Sequence, residues 1–110
     1  MPGTGKEDHL KTFNKLIRDN IPAVIIASGE TPITRVLDGE QYLQALITKL
    51  GEEYDEFKQA RNVEELADLQ EVVLALADAI ASRTELEAVR AAKAAERGTF
   101  KGRIFLERTE

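Results

Sequence analysis

GEEYDEFKQARNVEELADL, residues Gly51 to Leu69, holds two pairs of acids, Glu53 with Glu56 and Glu65 with Asp68, each at i,i+3 spacing. On a helix both members of such a pair lie on one face. Between the pairs, Arg61-Asn62 interrupts the apolar pattern and reads as a short turn, so the stretch predicts a helical hairpin. If its arms run antiparallel, residues equidistant from the turn lie side by side, which sets Glu53 level with Asp68 and Glu56 level with Glu65. Four carboxylates then converge on one small volume, and like-charge repulsion opposes this unless a cation fills it. A hard divalent cation with oxygen preference, Mg²⁺ or Mn²⁺, is the simplest filler.

The ordinary alternative is a set of solvated helix-surface acids, with Asn62-x-x-Glu65 a capping box in which Glu65 reaches back to the Asn62 N–H. Two features weigh against it for the set as a whole. At ~100° per residue, the first arm gathers Leu43, Leu46, Ile47, Leu50, Tyr54 and Phe57 into a buried arc, and Glu53 falls on its edge. The second arm gathers Leu66, Leu69, Val73, Leu76 and Ile80, and Glu65 falls inside that margin. Acids that intrude on a buried face are rarely there without a partner. Partners within the helices are also few. Glu53 has Lys49 four residues back, in the weaker orientation. Glu65 has only Arg61, which sits in the turn, and Glu56 and Asp68 have no basic residue three or four positions away on either side. Glu52, Asp55, Glu64 and Glu71 point elsewhere and read as solvated acids.

The 110 residues suffice for one small domain with a modest core, spanning 1–110. There is no cysteine, which excludes disulfides and thiolate metal sites and suits a cytoplasmic location. A net charge of −5 argues against general nucleic-acid binding through a basic surface. No apolar run approaches the ~18 residues of a membrane span, and Lys6-Glu7-Asp8 is followed by no apolar stretch of the kind a signal peptide needs.

Taken in order, residues 1–8 are small and polar and read as frayed. Gly3-Thr4-Gly5-Lys6 resembles the end of a phosphate-binding loop but lacks the full spacing and the hydroxyl residue after the lysine, and is rejected. His9, the only histidine, has no partner motif and reads as a surface residue. Phe13, Leu16 and Ile17 recur at helical spacing. A short helix follows over Ile21 to Ser28, with Asn20 able to cap it, Pro22 in its first turn and Gly29 to stop it. Thr31 to Leu37 is β-branched and reads as extended. Asp38-x-x-Gln41 resembles a capping box opening a long helix from about Gly39 to Ala60. A third helix runs from about Val63 to Ala81, broken by Ser82-Arg83. Thr84-x-x-Glu87 reads as the box opening a last helix to about Arg97, with Gly98 as the stop. Ile104-Phe105-Leu106 in the tail suggests a short piece over 103–107 able to pair with 31–37. The expected class is therefore all-α, with a small extended or β piece at 31–37 and 103–107. Val72 and Leu74 lie outside the main stripe of the third helix and widen its apolar arc. Such a hairpin commonly completes a four-helix bundle by dimerising, and a homodimer is favoured over cover from the chain's own terminal segments. Whether dimers pair further into a tetramer is open.

Facing acid pairs, without cysteine and without a paired histidine, do not suit iron, zinc or copper. They suit Mg²⁺-assisted phosphate chemistry, in which the ion neutralises phosphate oxygens and acidifies a bound water while a spare carboxylate takes the proton. Cations to hold the remaining phosphates would come from Lys15 and Arg18 in the N-terminal segment, and from Lys93, Arg97 and Lys101 near the end of the last helix. Each of these is also an ordinary solvated surface group in the alternative reading.

Glu52-Glu53-Tyr54-Asp55-Glu56 followed by Glu65-Leu66-Ala67-Asp68 resembles the E-E-x-x-E … E-x-x-D signature of the MazG-like, all-α nucleotide pyrophosphohydrolase superfamily. FNKLIRDNIP, TPITRVLD, EELADLQEVVLAL and KAAERGTFKGRIFLE extend the likeness over nearly the whole chain after about Phe13, and point to a short single-domain branch. The resemblance implies Mg²⁺-dependent hydrolysis of a nucleoside triphosphate between its α and β phosphorus, giving the monophosphate and pyrophosphate. A house-cleaning role against non-standard nucleotides is a common suggestion for such proteins. Glu53, Glu56, Glu65 and Asp68 match the metal-binding acids, whereas Glu52 matches a position whose role the spacing does not fix. The chain has no tryptophan and few aromatics to stack on a base, so base preference is not legible. Two other readings stay open: phosphoribosyl-ATP hydrolysis on the same fold and acids, and a non-catalytic helical dimerisation or regulatory module.

Overall fold

The computed structural model describes residues 11–110. The readings of residues 1–8, of Gly3-Thr4-Gly5-Lys6 and of His9 lie outside the described residues. The described chain is all-helical, with α1 (Ile21–Ala27), α2 (Gly39–Ala60), α3 (Val63–Ile80) and α4 (Arg83–Arg97) in that order, and it contains no strand among these residues. Its extents are 70 × 30 × 26 Å.

The hairpin of α2 and α3 is the largest packed unit, and a two-residue turn makes it. Arg61 closes α2 in the left-handed region, at φ 52°, and its N–H donates to the Phe57 carbonyl at 2.7 Å. A non-glycine residue there costs on the order of 1 kcal/mol, and the Arg61 Nε–H bond to the Lys58 carbonyl at 3.2 Å helps hold the bend. Asn62 then returns to extended backbone and its side chain accepts the Glu65 N–H at 2.9 Å, which starts α3. The second corner works the same way. Ser82 is extended and its hydroxyl accepts the Glu85 N–H at 3.0 Å, so α4 starts at Arg83, and the Thr84 box is not the opening. Gly98 ends α4 at φ 87°.

Leu46, Val72 and Ala77 are the buried apolar residues among those described. A buried Leu or Val contributes about 1.5–3 kcal/mol, so a core of this size leaves the isolated chain thinly stabilised. The buried line of α3 is rotated from the expected one. Glu65, Asp68, Leu69 and Val72 are half-buried or buried at i, i+3, i+4, i+7 spacing and form the face turned toward α2. Val72 thus belongs to the core, while Leu66, Val73 and Ile80 stand exposed beside it.

Other expectations are corrected. Residues 11–20 form no helix, despite the spacing of Phe13, Leu16 and Ile17. Asn14 takes a positive φ of 46°, and a segment this short is marginal as an isolated helix. Asn20 and Asp38 precede α1 and α2 without side-chain cap hydrogen bonds. Residues 31–37 and 103–107 do not pair as strands. Val36 and Ile104 are 100% and 92% exposed, so the β-branched stretch and the apolar run there have no surface to pack on.

Candidate metal centre

Glu53 projects from the third quarter of α2, and Glu65 and Asp68 from the first two turns of α3. The antiparallel hairpin brings one carboxylate oxygen of each within 4.8 Å of the other two, all three side chains being half-buried. Oxygens shared by one ion at about 2.1 Å lie about 3–4 Å apart, so small side-chain adjustments bring this set onto a cation the size of Mg²⁺ or Mn²⁺. The donor chemistry, carboxylate oxygen only, also fits a hard cation. Glu53 and Asp68 meet as the register predicts. Glu56 is exposed and stands outside the triad, though near enough for its charge to act on Glu65. Glu52 lies outside it too, beside Lys49 at 3.8 Å.

Among the described residues, two cations touch the cluster. Lys49 Nζ lies 3.5 Å from Glu53 Oε1, one turn back on α2. Arg18, from the arm before α1, donates through Nη2 to Asp68 Oδ1 at 2.7 Å. Glu65 has no cation partner among the described residues, and its carboxyl is pushed above the usual range. Partial desolvation is the first cause, followed by the negative charges of Asp68, Glu56, Glu53 and Glu64.

Of the five candidate phosphate-holding residues, Arg18 reaches the acids, while Lys101, beyond the end of α4, is exposed and forms no ion pair among the described residues. Lys15 lies over the Phe13 ring at 5.6 Å. Lys93 and Arg97 are exposed on α4, and neither forms an ion pair among the described residues. The pairing of Arg18 with Asp68 was not legible in the sequence. The partners are 50 residues apart, and no periodic rule links a non-helical arm to a helix face.

A stretch of 46 residues is 48% identical to an uncharacterized protein of Mycolicibacterium smegmatis, covering 42% of this chain and 47% of that protein. The match therefore spans about half the length of that relative. No protein-family profile matches the chain, and no solved structure matches it.

Proposed function

We propose that the chain is a metal-dependent nucleoside triphosphate pyrophosphohydrolase of the MazG-like kind. It would cleave between the α and β phosphorus to release pyrophosphate and the monophosphate. The observation that supports this most directly is the half-buried meeting of Glu53, Glu65 and Asp68 across the hairpin, which carries the acids of the signature.

Glu53, Glu65 and Asp68 would hold Mg²⁺ or Mn²⁺, which when bound neutralises phosphate oxygens and acidifies a water. A carboxylate that the ion leaves free would take the proton from an attacking water. Glu56, exposed one turn further along α2, acts from outside the triad by adding negative charge near Glu65. Arg18 and Lys49 supply positive charge at the rim, where a triphosphate would present its oxygens.

A homodimer belongs to the same proposal. Leu66, Val73 and Ile80 recur every seven residues on α3 and all are exposed, which makes a continuous apolar line beside the hairpin contact. A second hairpin laid on that line would complete a four-helix bundle.

The test is release of pyrophosphate and of orthophosphate from a panel of nucleoside triphosphates, deoxynucleotides and phosphoribosyl-ATP, with and without Mg²⁺ or Mn²⁺. Metal-dependent pyrophosphate release is the expected result, and the panel identifies the substrate. Orthophosphate release refutes the cleavage site, and no turnover with either metal leaves the non-catalytic helical module as the better reading.

A further inference from the structure

Among the described residues, Arg18 is the one outside the hairpin that bonds to the acid cluster, and its bond is of a kind that exchanges readily. Its Nη2–H meets Asp68 Oδ1 at 2.7 Å, but the two side chains are 57% and 42% exposed. Exposed ion pairs hold weakly, because water competes for both partners. The rest of the planar guanidinium fork stays solvated. The backbone beneath is fixed, since the Arg18 carbonyl accepts the Ile21 N–H at 3.0 Å and Ile17 is half-buried. A side-chain rotation therefore suffices to move the guanidinium, with the arm left in place.

The charges around the cluster give that rotation a cause. Among the described residues, three carboxylates face two cations, Arg18 and Lys49. A bound divalent cation would reverse the balance and draw on Asp68 directly. Of the two side chains, Lys49 is held one turn from Glu53 on its own helix and is the more enclosed, at 19% exposure. Arg18 is the freer, and its fork matches two phosphate oxygens at once.

We propose that the Arg18 guanidinium serves as the cluster's own counter-ion, leaves Asp68 when a divalent cation binds, and then holds the oxygens of a phosphate-bearing anion at the rim of the site. This rests on the metal-centre reading above. It makes cation and anion binding cooperative through one side chain, since each favours the released position of Arg18.

Calorimetric titration of the full chain with Mn²⁺ alone, and separately with preformed Mn²⁺–pyrophosphate, tests this in the wild type, Arg18→Met, Arg18→Lys and Asp68→Asn. Arg18→Met should bind Mn²⁺ alone about two- to fivefold more tightly, the scale of an exposed ion pair. It should bind Mn²⁺–pyrophosphate about tenfold or more weakly, as a lost charged hydrogen bond predicts. Arg18→Lys, which keeps the charge and loses the fork, should fall between in both. Mn²⁺ uptake that Asp68→Asn abolishes and Arg18→Met leaves equal or weaker overturns the exchange alone. Undiminished binding of Mn²⁺–pyrophosphate by Arg18→Met likewise overturns Arg18 as the anion holder. If the wild type takes up no Mn²⁺, the metal centre itself is refuted and the exchange with it.

Discussion

The two ends of α3 are built by the same device and left in different states. Each of α3 and α4 starts on a polar side chain that accepts the N–H three residues on, Asn62 for Glu65 and Ser82 for Glu85. At the N-terminal end of α3 the resulting turn closes α3 tightly on α2, and charged groups complete the contact: three acids inside, Arg18 and Lys49 around them. At the C-terminal end α4 packs on α3 far less than α2 does. Val73, Leu76, Ile80, Leu86 and Val89 line an open apolar groove there. Closure at a turn depends on local hydrogen bonds, whereas closure of a helix face depends on apolar area. The first end has the means within one chain, and the second lacks the area.

The largest effect should come from attacking the acid end. Asp68→Asn and Glu65→Gln each remove a donor from the triad and should lower metal-dependent pyrophosphate release by about two orders of magnitude or more, with helix content unchanged by circular dichroism. Glu56→Gln lies outside the triad and should cost about tenfold to a hundredfold, as a supporting charge does. Equal losses in all three would break the distinction between triad and outer acid, and full activity in Asp68→Asn would remove the site. Next comes the apolar end. Ile80→Glu places a charge on the exposed heptad line and should weaken self-association at least about thirtyfold, the scale of an interface hot spot, as read by sedimentation. Unchanged association would mean that this face is not where copies meet.

How far each end can be read from sequence follows from the range of the forces that shape it. The hairpin register was legible because two helices and a two-residue turn fix it by counting, and that counting places Glu53 beside Asp68. It overreached at Glu56, which is exposed one turn along α2 from Glu53 and stands outside the three acids that meet. The wheel also set Val72 off the buried line, because side-chain spacing gives an apolar arc but not the part of it that the neighbour covers. Arg18 was legible as a cation without its partner. The strand expected at 31–37 followed β-branched composition, which describes fit to a packed surface, and this chain offers none there.

The caps give a finer comparison, because they are alike in chemistry and differ only in what they hold. Asn62→Ala and Ser82→Ala should each destabilise by about 1 kcal/mol and lower the melting temperature by similar amounts. Only Asn62→Ala should also reduce turnover, since Asn62 fixes the backbone of Glu65. If Ser82→Ala reduces turnover equally, the two ends are coupled and the local account of the acid end fails.

The smallest effect lies in the pH dependence, where the two ends should have opposite signs. At the acid end the folded Glu65 carboxyl is raised, first by desolvation and then by its acidic neighbours. The native state thus binds that proton more tightly than the unfolded chain does. Its contribution is fully present below the unfolded pKa and is lost as pH rises through the folded one. On α4, Glu87 is lowered, chiefly by its hydrogen bonds from Arg90 at 2.6 and 2.9 Å. That contribution is present above the unfolded pKa and is lost as pH falls through the folded one. The two slopes oppose each other in the total profile of metal-free protein, so difference profiles are the informative ones. Melting temperatures across the acid range should lose a falling slope in Glu65→Gln and a rising slope in Glu87→Gln. A Mg²⁺ ion held at the triad would select the ionised form of Glu65, so in its presence the Glu65→Gln difference should change sign while the Glu87→Gln difference stays the same. A sign change in both would mean that the cation acts on the overall charge of the protein and not at the hairpin.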